Sequence, residues 1–212
     1  MREAFENLSH EKQVRILNAA FAEFTEYGYK HASTNRIVEA AGIGKGMLFY
    51  YFGNKQGLYD FLVDYSIAYL EEYLLKLNEM EKDCDFIEQY KLASKQKWEA
   101  YLKNPHVFEF MTRLYFNKDE ITSTDKIRKR YFNLEFMKEQ ILNDFNINTK
   151  TSKFRTDIDT EKLIKYFRWN INGYTQELTA YFKGKKLADI DLEPYWKEFD
   201  EYMDDLKKLF YV

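Results

Sequence analysis

Apolar residues recur every three or four positions through most of the chain, which is the spacing of helices that bury one face. The first such stretch runs from Glu11 to Glu26 and has Leu17 and Phe24 on its apolar face. Ser9 precedes it as an N-cap, and Gly28 follows it as a C-terminal stop. The pattern therefore predicts an amphipathic helix near the start of the chain.

Glycines divide the following segment into short helices. The spacing predicts one helix from Thr34 to Ala41, ended by Gly42, and another from Lys45 to Tyr51. A longer helix is predicted from about Lys55 to Met80. Two helices joined by a short turn that contains glycine form the arrangement that presents the second helix to the major groove of DNA.

The rest of the chain also has the helical period, and polar, turn-rich stretches separate its segments. The predicted helices of this part are Asp85 to Lys103, Pro105 to Asn117, Asp125 to Phe145, Thr160 to Lys183 and Glu193 to Tyr211. Only 2 prolines and 8 glycines occur in 212 residues, which leaves little turn material for a many-stranded sheet. The predicted fold is therefore all-α.

Composition supports a packed globular fold, since 45% of the residues are hydrophobic and 32% are charged. The longest stretch without a charge, Gly46 to Asn54, is far shorter than the roughly 20 residues of a membrane-spanning helix. The N-terminus is charged and lacks the apolar core of a secretory signal, and Cys84 is the single cysteine. We therefore expect a cytoplasmic protein.

The charge is unevenly distributed. The formal net charge of −3 argues against a nucleic-acid partner. Between Tyr27 and Gly57, however, four lysines and arginines face one glutamate, so this segment carries +3 and the remainder carries −6. The asymmetry predicts a small basic surface on a larger acidic body.

Three motifs near the start of the chain give it a family resemblance. They are AAFAEFTEYGY at the end of the first predicted helix, IVEAAGIGKG across the turn and MLFYYFGNK through the helix after the turn. In this order and spacing, residues 14–62 resemble the DNA-binding domain of the TetR (tetracycline repressor) family of bacterial transcriptional regulators. The resemblance implies a helix-turn-helix domain over residues 1–54, joined by the long helix to a helical ligand-binding and dimerisation domain over residues 55–212.

The resemblance also implies which residues contact DNA. They are Thr34, Asn35, Arg36, Lys45, Gly46, Met47, Phe49, Tyr50, Tyr51 and Lys55. Thr34 would contact a phosphate, whereas Asn35 and Arg36 would point toward the groove and meet a base edge or a phosphate. Lys45 is the candidate for a base contact, because lysine can donate to guanine O6 and N7. Lys55 takes the position of the family's phosphate-binding lysine.

Other residues of the motif have a packing interpretation. Leu48 and Phe52 are predicted to lie in the core of the three-helix unit. Tyr50 and Tyr51 either pack or contact phosphate, and the residues leave both readings open. Gly46 has no side chain, so the backbone there can approach the bases closely.

Several positions depart from the usual family pattern. Gly44 stands in place of a frequent serine, Met47 in place of threonine and Phe49 in place of tyrosine. Met47 exchanges a hydroxyl for an apolar group that suits a thymine methyl. Gly57 is expected to weaken its helix by about 1 kcal/mol relative to alanine. We interpret these changes as an altered operator preference.

The larger body is rich in aromatic residues, which either fill its core or line a ligand pocket between helices. The family architecture favours a pocket for an apolar or a cationic, aromatic-stacked ligand, with Glu99 or Glu109 as a counter-charge. The predicted lining residues are Trp98, Phe108, Met111, Tyr115, Phe136, Trp169 and Tyr174.

The last two helices match the family's dimer-forming pair. Their apolar stripes are Leu163, Phe167, Ile171, Tyr174 and Leu178 in one helix and Trp196, Phe199, Met203, Leu206 and Phe210 in the other. Each stripe can instead belong to the core of one subunit. A homodimer on a palindromic DNA site is expected, because one helix-turn-helix reads few base pairs.

Enzymatic chemistry has little support in the sequence. The three histidines, His10, His31 and His106, and the single cysteine lack metal-site spacing, and no nucleophile has an adjacent base. We expect no metal, no cofactor and no catalytic residue. The predicted function is a ligand-responsive DNA-binding regulator, a repressor released by its ligand. The alternative is a small-molecule-binding protein of the same fold without functional DNA binding, favoured by the net acidity and the hydroxyls missing at Met47 and Phe49.

Overall fold

The computed structural model describes residues 2–79, 84–117, 124–148, 153–182 and 190–212. Within these ranges it contains helices only, apart from an isolated bridge between Phe154 and Tyr211, and this confirms the all-α prediction. The helices are α1 (Arg2–Glu6), α2 (His10–His31), α3 (Thr34–Ala41), α4 (Lys45–Phe52), α5 (Lys55–Asn78), α6 (Phe86–Lys103), α7 (Pro105–Phe116), α8 (Asp125–Asn148), α9 (Thr160–Phe182) and α10 (Glu193–Phe210).

The observed boundaries differ from the predicted ones mainly in α1 and α2. Helix α1 is not predicted from the sequence, because five residues are too few to show a helical period. Gly28 breaks α2 with φ 68° and ψ 172°, a conformation open to glycine, but the helix resumes for one more turn to His31. None of the described helices combines the length and the apolarity that a bilayer crossing needs.

The chain forms two compact units. The first contains residues 1–76 and 103–140, and the second contains residues 77–102 and 141–212. The helix-turn-helix therefore packs in one unit with most of α5, with α7 and with the beginning of α8. The proposed functional boundary between residues 54 and 55 remains a prediction.

In the first unit, α7 packs directly on α2 and α5. The Phe110 ring of α7 is fully buried, 5.4 Å from the Phe21 ring and 5.7 Å from the Tyr59 ring. The Arg113 side chain, one turn further along α7, donates to the Thr25 carbonyl oxygen at 3.0 Å. Helix α7 is thus attached to the first helix of the DNA-binding motif by both packing and a hydrogen bond.

In the second unit, α6, α9 and α10 enclose an aromatic core. Most of the two apolar stripes predicted for dimerisation lie in this core, namely Leu163, Phe167, Ile171, Phe199, Met203, Leu206 and Phe210. Tyr174 and Trp196 pack at its edge. The intramolecular reading is therefore correct for these stripes, because the burial of the two helices within one subunit already uses their apolar faces.

Gly57 allows α5 to begin directly after α4. A Cβ at this position would lie 2.0 Å from the Phe52 carbonyl oxygen. The Gly57 amide also donates to the Asn54 side-chain oxygen at 2.8 Å, which satisfies a free amide at the start of the helix. The expectation that alanine would strengthen α5 here is wrong, because the connection leaves no room for its methyl group.

We expect Gly57→Ala to lower the free energy of unfolding by about 1–3 kcal/mol, as other overpacking changes do. Gly46→Ala is the matched control, since a Cβ at Gly46 meets nothing within 4 Å and alanine favours a helix by up to about 1 kcal/mol. Urea unfolding of both variants measures the difference. A Gly57→Ala protein as stable as the wild type would contradict the crowding seen at Phe52.

Candidate nucleic-acid interface

Helices α3 and α4 form a helix-turn-helix whose turn is fixed by hydrogen bonds. Gly42 ends α3 with φ 64°, the left-handed conformation of a helix C-cap, and its amide donates to the Glu39 carbonyl at 3.2 Å. The Ile43 amide donates to the Val38 carbonyl at 3.0 Å. Gly44 is the N-cap residue of α4. The predicted turn is therefore confirmed as a tight, glycine-dependent connection.

Helix α4 has one buried and one exposed face. Leu48, Tyr51 and Phe52 are 1%, 6% and 8% exposed, which confirms the core assignment of Leu48 and Phe52. The outer face carries Lys45, Gly46, Met47 and Tyr50, all exposed, with Phe49 half-buried beside them. The exposed face thus holds most of the α4 residues that the family resemblance assigns to DNA.

Tyr51 is the exception among the α4 residues predicted to contact DNA. Its ring packs in the interior, with its centroid 6.1 Å from that of Phe5 and 6.2 Å from that of Phe52. The adjacent Tyr50 is 66% exposed. The structure therefore assigns packing to Tyr51 and leaves Tyr50 on the outer surface.

The beginning of α4 presents backbone to the outside. A Cβ added at Gly44 or at Gly46 would meet nothing within 4 Å, so internal packing does not require glycine at either position. No side chain caps the helix N-terminus at Gly44. Between the two glycines, the exposed Lys45 places its Nζ 5.8 Å from the Phe49 ring centroid. A flat backbone surface with one cation beside it suits close approach to a nucleic acid.

Arg36 is held by α2 and does not project freely. Its Nε lies 3.0 Å from both carboxylate oxygens of Glu23, and its Nη2 lies 2.5 Å from Glu23 Oε1 and 3.1 Å from the His31 carbonyl oxygen. The guanidinium also stacks on the Tyr27 ring at 4.3 Å. The expectation that Arg36 points toward the groove is corrected: its hydrogen bonds join α3 to α2.

Glu23 is the buried partner in this arrangement, and the sequence analysis did not single it out. The side chain is 7% exposed and also accepts a hydrogen bond from the Ser33 amide at 2.6 Å. Burial by itself would raise the pKa of Glu23, but the hydrogen bonds from Arg36 and Ser33, together with the charges of Arg36 and Lys55, lower it overall. Glu23 therefore stays ionised and fixes the start of α3.

Lys55 lies at the first position of α5, half-buried. Its Nζ donates to the Lys30 carbonyl oxygen at 3.2 Å and sits 5.1 Å from the Tyr29 ring centroid. Burial lowers the pKa of Lys55, the nearby Arg36 lowers it further, and Glu23 opposes both effects. In the first turn of α3, Asn35 is exposed and Thr34 is half-buried.

The predicted ligand-lining residues are divided between the two units. Phe108 packs 6.3 Å from Tyr69 and Met111 is buried, whereas Tyr115 and Phe136 are exposed, all within the first unit. In the second unit, Trp98 stacks on Tyr101, Tyr174 stacks on Tyr202, and Trp169 is 58% exposed. The remaining rings, Trp98, Phe108 and Tyr174, are half-buried, and the ligand pocket stays a prediction.

A different concavity lies between α6 and α10 in the second unit. This acidic groove has a volume of about 500 Å³ and is lined by Lys95, Glu99, Glu193, Trp196, Lys197, Asp200, Glu201 and Asp204. Glu99, one of the two predicted counter-charges, belongs to it. The recurrence of charged residues along α10 is the signal that the sequence analysis did not use, because a charged helix face is usually only solvated.

The acidic groove already contains an internal cation. Lys95 pairs with Asp200 at 2.8 Å, and its Nζ lies 5.8 Å from the Trp196 ring centroid. Lys91 approaches Asp200 at 3.3 Å. Burial would raise the pKa of Asp200, but these two lysines lower it overall. The arrangement is that of a cation held between a carboxylate and an aromatic face.

An all-α chain with an exposed helix-turn-helix defines a class of DNA-binding regulators, and comparison with known proteins agrees. Residues 16–61 match the family described as "Bacterial regulatory proteins, tetR family". The HTH-type transcriptional repressor AcnR of Corynebacterium glutamicum is 23% identical over 176 residues, 82% of this chain and 86% of AcnR. The uncharacterized HTH-type transcriptional regulator YhgD of Bacillus subtilis is 36% identical over 53 residues, 25% of this chain and 28% of YhgD.

Solved structures of regulators share the fold over nearly the whole length. A TetR family regulator from Chloroflexus aurantiacus has a TM-score of 0.63 and 20% identity, covering 99% of this chain and 98% of its own. The ketosteroid regulator KstR2 of Mycobacterium tuberculosis has a TM-score of 0.60 and 16% identity, covering 97% of each chain. The family match is thus confined to residues 16–61, and the chain as a whole shares the fold of these regulators.

We expect Glu23→Gln to lower the free energy of unfolding at pH 7 by about 1–2 kcal/mol, a modest value because Arg36 remains half-exposed to water. The pKa of Glu23 is lowered in the folded state, so its contribution is complete above the ordinary value of 4.5 and is lost as the pH falls through the lower folded-state value. The difference in the free energy of unfolding between wild type and variant should therefore become smaller as the pH falls. Urea unfolding at several pH values measures this difference. Glu39→Gln, an exposed change on the neighbouring helix α3, is the control. A gap that does not depend on pH would contradict this role of Glu23.

Proposed function

We propose that the protein is a homodimeric transcriptional repressor that binds a palindromic operator through α4 and is released by a small molecule. The observation that carries the proposal is the outer face of α4, where an exposed lysine and bare backbone stand together although packing requires no glycine there. Glycine lowers helix stability, so its presence without an internal reason favours close approach by an outside partner.

The chemistry of this face gives each residue a role. Lys45 donates to guanine O6 and N7, and Met47, 40% exposed, contacts a thymine methyl. Gly46 admits the DNA backbone or base edge. The phosphate contacts come from Thr34, Asn35, Tyr50 and Lys55, with Phe49 packing against the sugar-phosphate backbone.

Dimerisation would use the residues that the subunit core leaves exposed on α9 and α10. These are Tyr166, Trp169, Tyr181 and Leu209, which are 38%, 58%, 54% and 62% exposed. Large aromatic residues are enriched in the centres of protein interfaces. A two-fold pair would place two copies of α4 on successive turns of the duplex, and a palindromic operator would match that symmetry.

The acidic groove favours a cationic effector over a neutral apolar one. Five carboxylates and Trp196 line it, against two lysines. An organic cation would replace the Lys95 ammonium on the aromatic ring and beside Asp200. Release from DNA would then require that the effector and the operator favour different conformations of the protein, so each weakens binding of the other.

The second candidate is a protein of this fold that binds small molecules but not DNA, which the net charge of −3 favours. The two candidates differ in whether the α4 face binds DNA. Only a DNA-binding regulator would release counterions from DNA through the lysines on and beside this face, and its affinity would then depend on salt.

Operator binding separates these candidates. We expect Gly46→Ala to leave the protein folded but to weaken operator affinity at least tenfold, since its methyl group would stand between the backbone and the bases.

Lys55→Ala should lower the slope of log affinity against log salt by about one per subunit. Lys129→Ala, an exposed lysine on α8, is the control. The measurement is a fluorescence-anisotropy titration on duplexes selected by the wild-type protein from a random pool, with stoichiometry from sedimentation. Wild-type binding without sequence preference would support the second candidate.

The effector proposal is tested with tetraphenylphosphonium, using neutral triphenylphosphine oxide as its matched control. We expect the cation alone to quench tryptophan fluorescence and to weaken operator binding, and we expect Trp196→Leu to abolish both effects. Cation binding that leaves operator affinity unchanged would contradict the coupling. Equal binding of both compounds would contradict the preference for charge.

A further inference from the structure

Helix α1 lies outside the segment that matches the TetR family, which begins at residue 16. Its one buried aromatic residue, Phe5, is 2% exposed. The Phe5 ring centroid lies 6.1 Å from that of Tyr51, 5.0 Å from that of Phe52 and 5.3 Å from that of Phe61. Phe5 therefore packs against the last turn of α4 and the second turn of α5.

Helix α4 has little intrinsic stability. It is 8 residues long, it has glycine at both caps and at Gly46, and no side chain caps its N-terminus. Isolated helices shorter than about 12–15 residues are marginal in water. The orientation of α4 therefore depends on the packing of Leu48, Tyr51 and Phe52, and Phe5 contacts two of these three.

Helix α1 is itself fixed to α2. The Gln13 side chain donates to the Glu6 carbonyl and the Leu8 carbonyl, both at 2.9 Å, and so satisfies groups that the end of α1 leaves free. These two bonds give α1 a defined position relative to α2. The backbone around Phe5 is thus fixed to α2, while the Phe5 ring contacts α4.

The charge of α1 does not suit a direct contact with DNA. Among its residues with described side chains, the exposed charged ones are Glu3 and Glu6. Carboxylates repel the phosphate backbone, so these two residues do not favour DNA binding, whereas the packing of Phe5 can affect it.

We propose that Phe5 is a positioning residue for operator recognition: its ring sets the orientation of α4 and hence the register of Lys45 and Met47 on the bases. The inference rests on the proposed DNA-binding function. If α4 is rotated by a fraction of a helix turn, its side chains lose their base contacts, because these contacts require a defined geometry. The electrostatic attraction to the phosphates remains. Loss of Phe5 therefore lowers specific affinity more than non-specific affinity.

The test compares Phe5→Ala, Phe5→Leu and Glu3→Ala, the last as a control on the exposed face of α1. Each is titrated with the selected operator and with a scrambled duplex of equal length. We expect Phe5→Ala to weaken operator binding about tenfold or more, with scrambled binding changed less than about threefold. Phe5→Leu should recover most of the loss, because leucine refills most of the volume. Glu3→Ala should behave as wild type.

Amide hydrogen exchange supplies a readout that does not depend on DNA. We expect faster exchange over residues 45–53 in Phe5→Ala, with residues 16–24 of α2 unchanged. Operator binding equal to wild type, or equal loss for both duplexes, overturns the proposal. Unchanged exchange in α4 overturns it as well. If the wild type selects no operator, the proposed function fails, and the exchange result still decides whether Phe5 positions α4.

Discussion

The burial of one face of α4 is the constraint on which the rest of the DNA-binding unit depends. Two turns of helix with glycines at Gly44, Gly46 and Gly53 have little intrinsic stability, so tertiary packing defines the direction of the helix. Because Leu48, Tyr51 and Phe52 point inward, Lys45, Met47 and Tyr50 must point outward. The outer face of α4, which we propose binds DNA, is thus a consequence of the core beneath it, which extends into α1 and α5.

A second constraint is electrostatic and acts on α3. Glu23 brings a carboxylate into the interior of the unit, where Arg36 and the Ser33 amide satisfy it. The same pair removes Arg36 from the set of free cations. In the proposed function, this acidic protein binds DNA through a small cationic surface that includes Lys45 and Lys55, and local charge, not net charge, decides what that surface can bind.

Many of the aromatic residues stabilise the fold by packing between helices. Phe110 attaches α7 to α2, Phe167 and Phe210 fill the core of the second unit, and Tyr51 supports α4. The rings left outside, such as Trp169, are those available for contact with a second subunit. Helix α7 contacts α2, the helix that precedes the helix-turn-helix, so it is linked to the motif by packing within the first unit.

Local sequence patterns determined the helices and the motif. The period of apolar residues and the glycines at Gly42 and Gly44 placed α3 and the start of α4, because caps and periodicity are short-range properties. The burial of Tyr51, the Glu23–Arg36 pair and the contact of Phe5 were decided only by the tertiary structure. Each joins residues on different helices, and neither α1, at five residues, nor a carboxylate thirteen positions from its partner has a local signature. The crowding at Gly57 has the same origin, since the obstructing atom belongs to the preceding helix.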